Sequence, residues 1–205
     1  RVATSFRDGL LGDQFGHGTT IEDTEKVEFF NGLSGFLYGP ANVGGLTNFI
    51  SKRSTIEPLN EITLGSTGGK NWYIGGDFSG KFDEENKFGY RLNAMKQDGE
   101  TQIKNQNIDK KFVSLALDWQ PTDQLTLQLD AMYRDFNIDG KSADWDFSGK
   151  NVQRISAKNL RNDMSWSQDW TNSEYKTERY GAHLNWQAND QITLRMNYLE
   201  SQSDR

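Results

Sequence analysis

The chemistry open to this chain is bounded by two histidines, His17 and His183, and by the absence of cysteine. The imidazoles stand far apart in sequence, so a His-rich metal centre is not expected. Without a thiol there is no disulfide, thiolate metal site or cysteine nucleophile. No Ser–His–Asp spacing is present. The glycine-rich run Gly39–Gly45 suggests a phosphate-cradling loop, but no Gly-Lys-Ser/Thr follows it. The residues suited to meet a ligand are of another kind. Trp145, Phe147, Trp166 and Trp170 lie among Asp residues in a long polar stretch. Their flat rings suit an aromatic or hydrophobic ligand, with loop–loop packing as the alternative reading. Nothing in the residues supports an enzyme.

Such residues need elements to hold them, and composition narrows what those are. The 205 residues carry a net charge of −6, a hydrophobic fraction of 34% and a mean hydropathy of −0.81. A value this low means either disorder or strands that bury one face only. Six Trp, 12 Phe and seven Tyr argue against disorder. With no basic stripe, nucleic acid is not an expected partner. No run of about 18 apolar residues predicts a transmembrane helix.

Residues 1–58 are glycine-rich and irregular, with short apolar runs at Val27–Phe30 and Leu46–Ile50 that read as buried strands. From residue 59 a period-2 alternation takes over, as half-buried strands require. Ile62 and Leu64 start the series. It continues over 72–82 (Trp72, Ile74, Phe78, Phe82), 88–95 (Phe88, Tyr90, Leu92) and 113–119 (Val113, Leu115, Leu117, Trp119). It ends over 125–134 (Leu125, Leu127, Leu129, Tyr133), 180–187 (Tyr180, Leu184, Trp186) and 192–198 (Ile192, Leu194, Met196, Tyr198).

These runs predict about seven strands, and a soluble sandwich is the plain alternative. Two features favour a membrane barrel. The connections at 83–87, 121–124 and 189–190 are short, whereas those at 99–109 and 138–174 are long and polar, as expected of short periplasmic turns and long external loops. Aromatics also flank the apolar face: Phe82, Phe88, Trp119 and Trp186 beside the short turns, Trp72, Tyr133 and Tyr198 toward the other ends. From Trp72 to Phe82 an extended chain covers roughly 33 Å. Tilted by about 45° it spans roughly 23 Å, near the apolar band of such barrels.

The stretch Glu25–Arg53 is specific. Glu25, Val27, Glu28, Gly32, Leu37, Tyr38, Gly39, Gly44, Gly45, Asn48, Ser51, Lys52 and Arg53 fall in an order that closely resembles the end of the plug domain of TonB-dependent outer-membrane receptors, above all those for ferric siderophores. Asn31 stands where that pattern usually has a basic residue, and Leu33 where it often has Pro. Gly32, Gly39 and the Gly44–Gly45 pair read as positive-φ turns or points of close backbone approach.

The resemblance implies residues 1–58 as the C-terminal part of an α+β plug and residues 59–205 as the first strands of an all-β, 22-stranded transmembrane barrel. It implies a receptor in the outer membrane of a Gram-negative bacterium that binds a ferric siderophore and imports it on energy from the inner-membrane TonB complex. Its partners would be the siderophore, TonB and outer-membrane lipid. Iron would arrive inside the cargo, with no resident cofactor. Another cargo (cobalamin, a sugar or another metal chelate) is the alternative, and a passive porin a weaker one. The resemblance also makes 13–18 an apical plug loop, with Gln14, Phe15 and His17 as ligand contacts beside Trp145, Trp166 and Trp170. Glu25, Glu28, Lys52 and Arg53 would pair with wall residues such as Arg91, Asp118 or Asp130. The chain opens at Arg1 without a Met and closes just after a strand-like run, which predicts a piece of a longer protein.

Overall fold

The computed structural model describes residues 4–12, 20–32, 44–140 and 170–204 without 205, together with 156, 158, 161, 163, 164 and 168. Eleven strands are present among them, in two sheets. The first sheet holds β1 (Thr4–Arg7), β2 (Leu10–Leu11), β3 (Thr24–Phe30) and β4 (Leu46–Ser51) in the order β2-β1-β4-β3. The second is a seven-stranded antiparallel meander: β5 (Leu59–Gly65), β6 (Lys70–Lys81), β7 (Phe88–Glu100), β8 (Asn107–Thr122), β9 (Leu125–Asp139), β10 (Asn172–Asn189) and β11 (Ile192–Asp204).

The sequence alternates along the meander, and across β6–β10 the faces are reversed relative to a soluble protein, while the edge strands β5 and β11 are largely exposed on both faces. Apolar side chains point outward and stay exposed, among them Leu64, Trp72, Ile74, Leu115, Leu129 and Met196. The opposite face carries Asn71, Ser79, Arg91, Asn93, Ser114, Asp118, Thr177 and Arg179, all buried. Polar residues are buried because the first sheet packs on that face. Its own apolar residues Phe6, Leu46 and Phe49 are buried there, as are Phe112, Ala116, Met132 and Tyr175 of the meander. A soluble sandwich would bury the apolar faces, since each large side chain left in water forgoes about 1.5–3 kcal/mol. An apolar outer surface this extensive needs a hydrocarbon solvent.

Three sequence expectations change. The loop at 99–109 shrinks to 101–106, because β7 and β8 continue pairing up to Glu100 opposite Asn107. Backbone ladders do not need apolar side chains, so the alternation fades where the strands leave the apolar band while hydrogen bonding continues. For the same reason Tyr133 and Tyr198 stand within β9 and β11 rather than at their ends. Finally, β3 is not buried: Val27 and Phe29 are exposed, since β3 is the outer strand of its sheet. Of the two runs, Leu46–Ser51 is the buried one, as β4 is paired on both sides.

Candidate functional site

The segment that leaves β4 runs along the polar face of the meander and is fastened to it residue by residue. Lys52 Nζ lies 2.9 Å from Asp77 Oδ2 and donates to Asn93 Oδ1 at 3.1 Å. Arg91 grips Asp77 with two nitrogens, Nε at 2.7 Å and Nη2 at 2.8 Å, and donates to the Arg53 carbonyl at 3.2 Å. Arg53 Nη2 donates to Asp130 Oδ1 at 2.8 Å, with Asp118 at 3.8 Å. The Ser54 amide donates to Asp118 Oδ2 at 2.8 Å and the Thr55 amide to Ser79 Oγ at 2.9 Å. Three cations (Lys52, Arg53, Arg91) thus meet three carboxylates (Asp77, Asp118, Asp130), so the seam closes without net charge. Buried pairs of this kind add little net stability over an apolar contact, but breaking one leaves a stranded charge, so they fix register.

Two glycines make the close approach possible. A side chain at Gly89 would strike Ser54, and one at Gly181 would strike Asp130. Gly89 pairs with Asp118 and Gly181 with Asp130, so each dent lies beside a carboxylate of the seam. His183 completes this end, with Nδ1 3.0 Å from Asn197 Oδ1 and Nε2 3.5 Å from Asp130.

A second cluster was not legible in the sequence. Asp23 accepts from Arg7 of the small sheet (3.5 Å) and from Arg179 of β10. The Arg7 and Arg179 side chains are 1% and 2% exposed, so this carboxylate joins the two sheets in a dry place. Thr20 Oγ1 donates to Asp23 at 3.0 Å, and Arg7 also reaches Ser51 Oγ and the Thr20 carbonyl. Glu22 pairs with Lys110 of β8 beside it. The inward parity of Arg179 was readable; its partner 156 residues away was not.

The remaining positions in Glu25–Arg53 shape the small sheet. Glu25 comes within 3.8 Å of Arg91. Glu28 does not reach the wall. It pairs with Lys26 at 2.7 Å and accepts from Asn48 Nδ2 at 3.1 Å, and these two neighbours hold its carboxyl below the usual carboxylate range. Asn48 also accepts from the Gly9 amide, tying the β1–β2 turn to β3. Val27 faces outward on β3. Gly45 has φ +114, and a side chain there would collide with the Phe30 carbonyl; Gly32 has φ +84. Gly44 shows neither a positive φ nor a close neighbour among the described residues, so the demand of that pair falls on Gly45. Tyr38 and Gly39 lie outside the described residues, as do Gln14, Phe15, His17, Trp145 and Trp166. Trp170 is described and 81% exposed. Among the described residues no three His, Asp or Glu side chains gather as a metal cage.

A small sheet pinned by salt bridges inside the polar face of an inside-out β-meander has close structural counterparts. The receptor BauA for ferric preacinetobactin, from Acinetobacter baumannii, superposes with a TM-score of 0.84 at 26% identity, over 98% of this chain and 30% of its own. The pyoverdine receptor FpvA of Pseudomonas aeruginosa superposes at 0.82 and 19% identity, over 98% of this chain and 30% of its own. In sequence, the ferrichrome outer membrane transporter/phage receptor of Escherichia coli K12 is 32% identical over 100 residues, 49% of this chain. The ferrichrome receptor FcuA of Yersinia enterocolitica is 26% identical over 174 residues, 79% of this chain. No protein-family model matches. In sequence and in fold the chain resembles outer-membrane receptors for ferric siderophores. It spans 13% and 22% of the length of the two ferrichrome relatives. In such a receptor the exposed apolar face of the meander is the lipid face, in the outer membrane of a Gram-negative cell, and the polar face is the lumenal wall. No helix among the described residues is long and apolar enough to cross a membrane.

Proposed function

We propose that residues 1–58 close the plug and residues 59–205 open the barrel of a receptor that binds a ferric siderophore outside the cell and imports it with energy delivered through TonB. The reading is supported above all by the seam at Lys52–Thr55. A plug held to the lumenal wall by charge pairs blocks passive flow, yet such pairs can be exchanged for water when the plug is pulled. A passive porin has no use for this arrangement. The names of the relatives, all receptors or transporters of ferric siderophores, favour that cargo class over cobalamin or sugars. The protein acts as a transporter without its own catalysis, and iron is cargo rather than cofactor.

Gln14, Phe15 and His17 on the plug, and Trp145, Trp166 and Trp170 on the third external loop, are the proposed cargo contacts. Growth of a deletion strain under iron limitation tests the reading, with ferrichrome, ferripyoverdine or a ferric catecholate supplied singly. Loss of growth on at least one of them, restored by the full-length gene, is expected. Unchanged uptake of every ferric siderophore overturns the cargo class.

A further inference from the structure

The external ends of the first six wall strands are tied together by side-chain amides and the loop backbone between them. In the connection after β5, the Thr67 amide and hydroxyl both donate to Asn71 Oδ1, at 3.2 and 2.8 Å. Asn71 Nδ2 donates to the Gly68 carbonyl and, at 3.3 Å, to the Glu100 carbonyl at the end of β7. Gln97 Nε2 on β7 donates to Thr67 Oγ1 at 2.9 Å and to Asn71 Oδ1 at 3.2 Å. In the next connection the Thr101 amide donates to the Gln106 carbonyl at 2.9 Å and the Thr101 hydroxyl to Gln106 Oε1 at 2.8 Å. Gln106 Nε2 then crosses to the Gly140 carbonyl at 3.1 Å, and the Gly140 amide donates to the Thr171 carbonyl at 2.7 Å. The Lys104 amide adds a bond to the Asp163 carbonyl at 2.9 Å. Asn71, Gln97 and Gln106 are at most 5% exposed, an unusual burial for three amides at the outer end of a barrel.

Buried amides are costly unless paired; Asn71 and Gln106 use both oxygen and nitrogen, and Gln97 donates from its nitrogen to Thr67 and Asn71. The backbone is shaped to match: Gly68, Gly69, Gly99 and Gly140 all have positive φ, and side chains at Gly69 and Gly140 would collide with Thr101 and Asn105. At the end of this chain stands Trp170. It lies in a turn closed by Thr171 N–H to the Gln168 carbonyl at 3.0 Å, one residue from the Gly140–Thr171 bond. A large ring 81% exposed on a hydrogen-bonded turn forgoes burial in the free protein, and its backbone is already placed before contact.

We propose that Asn71, Gln97 and Gln106 are positioning residues that lace the first two external connections and both stems of the third into one fixed rim, which presents Trp170 to incoming cargo. The inference rests on the siderophore-receptor reading. The rim is preorganised rather than closing: its ties run loop to loop and do not wait for a ligand. Gln106 is the pivotal side chain, because it carries the tie from the second connection to the Gly140 stem of the third, beside the backbone tie from Lys104 to Asp163.

The test uses the full-length receptor with Gln106→Ala, Gln106→Glu and Gln97→Ala, probed with ferrichrome. Gln106→Glu keeps the acceptor for Thr101 and loses the donor to Gly140. Hydrogen exchange at residues 140 and 168–171 should accelerate about tenfold in both Gln106 variants, with the strand amides unchanged. The half-saturation concentration for uptake should rise by about the same factor while the maximal rate stays constant. Gln97→Ala should loosen 66–69 and 101–106 instead. Unchanged exchange at 168–171 on loss of Gln106 overturns the lacing. Accelerated exchange with unaltered half-saturation overturns the positioning role, as does a fall in maximal rate alone. Failure of wild type to take up ferrichrome, with the exchange results intact, would shift the cargo and leave the lacing standing; ferripyoverdine and a ferric catecholate then serve as probes.

Discussion

At the scale of single residues, Asp23 matters most to the union of the two sheets. Its carboxylate serves Arg7 on one sheet and Arg179 on the other, both almost fully buried. Asp23→Asn keeps the shape and removes the charge that both guanidinium groups share. The expected cost is on the order of 3 kcal/mol, the range for breaking a buried ionic contact from one side. Urea titration of the full-length receptor in detergent, followed by exchange of the β1 and β10 amides, measures it; an unmoved midpoint would mean that the plug is held elsewhere. Gly45 makes a different demand. Its φ of +114 and the Phe30 carbonyl against its Cα leave no room for a side chain. It stands as a backbone requirement inside the Glu25–Arg53 motif, unlike Gly44.

At the scale of elements, the wall strands live in two solvents at once. An Arg in place of Leu115, mid-strand on the lipid face, should cost about 2–4 kcal/mol in bilayer folding, whereas Ile192→Arg beside a turn should cost about 1 kcal/mol or less. Equal penalties at both positions would show that this face does not meet hydrocarbon. The short turns have their own chemistry. Asp83 accepts from the Phe88 amide at 2.7 Å and the Lys87 amide at 2.9 Å, and these bonds hold its carboxyl below the usual range. Because the folded value is depressed, its contribution is complete above the unfolded carboxylate value of about 3.9 and is lost as pH falls through the folded value. The stability difference between wild type and Asp83→Asn should therefore be constant near neutrality and close below about pH 4. A difference that grows on acidification would contradict this turn geometry.

At the scale of the whole molecule, the meander leaves β11 unpaired along one side and its apolar face exposed. Both are tolerated only where further strands and lipid cover them. Residues 1–205 expressed alone should therefore aggregate on removal of denaturant, whereas the full-length receptor refolds into detergent micelles. Sedimentation after dilution separates the outcomes, and a monodisperse soluble fragment would mean that the apolar face finds another partner. The seam and the Asp23 cluster also divide the plug's attachment in two. One, at Lys52–Thr55, is charge-balanced with side chains 9–21% exposed; the other, at Arg7–Asp23–Arg179, is drier and cation-rich. Pulling on the plug would load these unequally, because water can replace the first set of pairs more readily than the second.

Period-2 alternation over 59–205 was enough to predict seven strands, their order and which side chains share a face, because alternation follows from backbone geometry alone. The Glu25–Arg53 motif carried the family. Strand ends were less legible: hydrogen-bond ladders continue past the apolar band, and polar sequence gives no sign of where pairing stops. Lys52 and Arg53 were recognisable as wall contacts by motif, yet the choice of Asp77 for Lys52 depended on how the two sheets pack, and the turning of Glu28 to Asn48 on the β3–β4 register. Local sequence could not reveal that Asp23, Arg7 and Arg179 meet, or that Gln97 and Gln106 stitch loops together, since such contacts join residues whose separation is set by how the sheets pack. For the wet face of the meander, a period of two says only that the faces differ; the aromatic girdles, loop lengths and motif pointed to an apolar side turned to lipid, and the tertiary structure decided it by lodging the small sheet against the polar side.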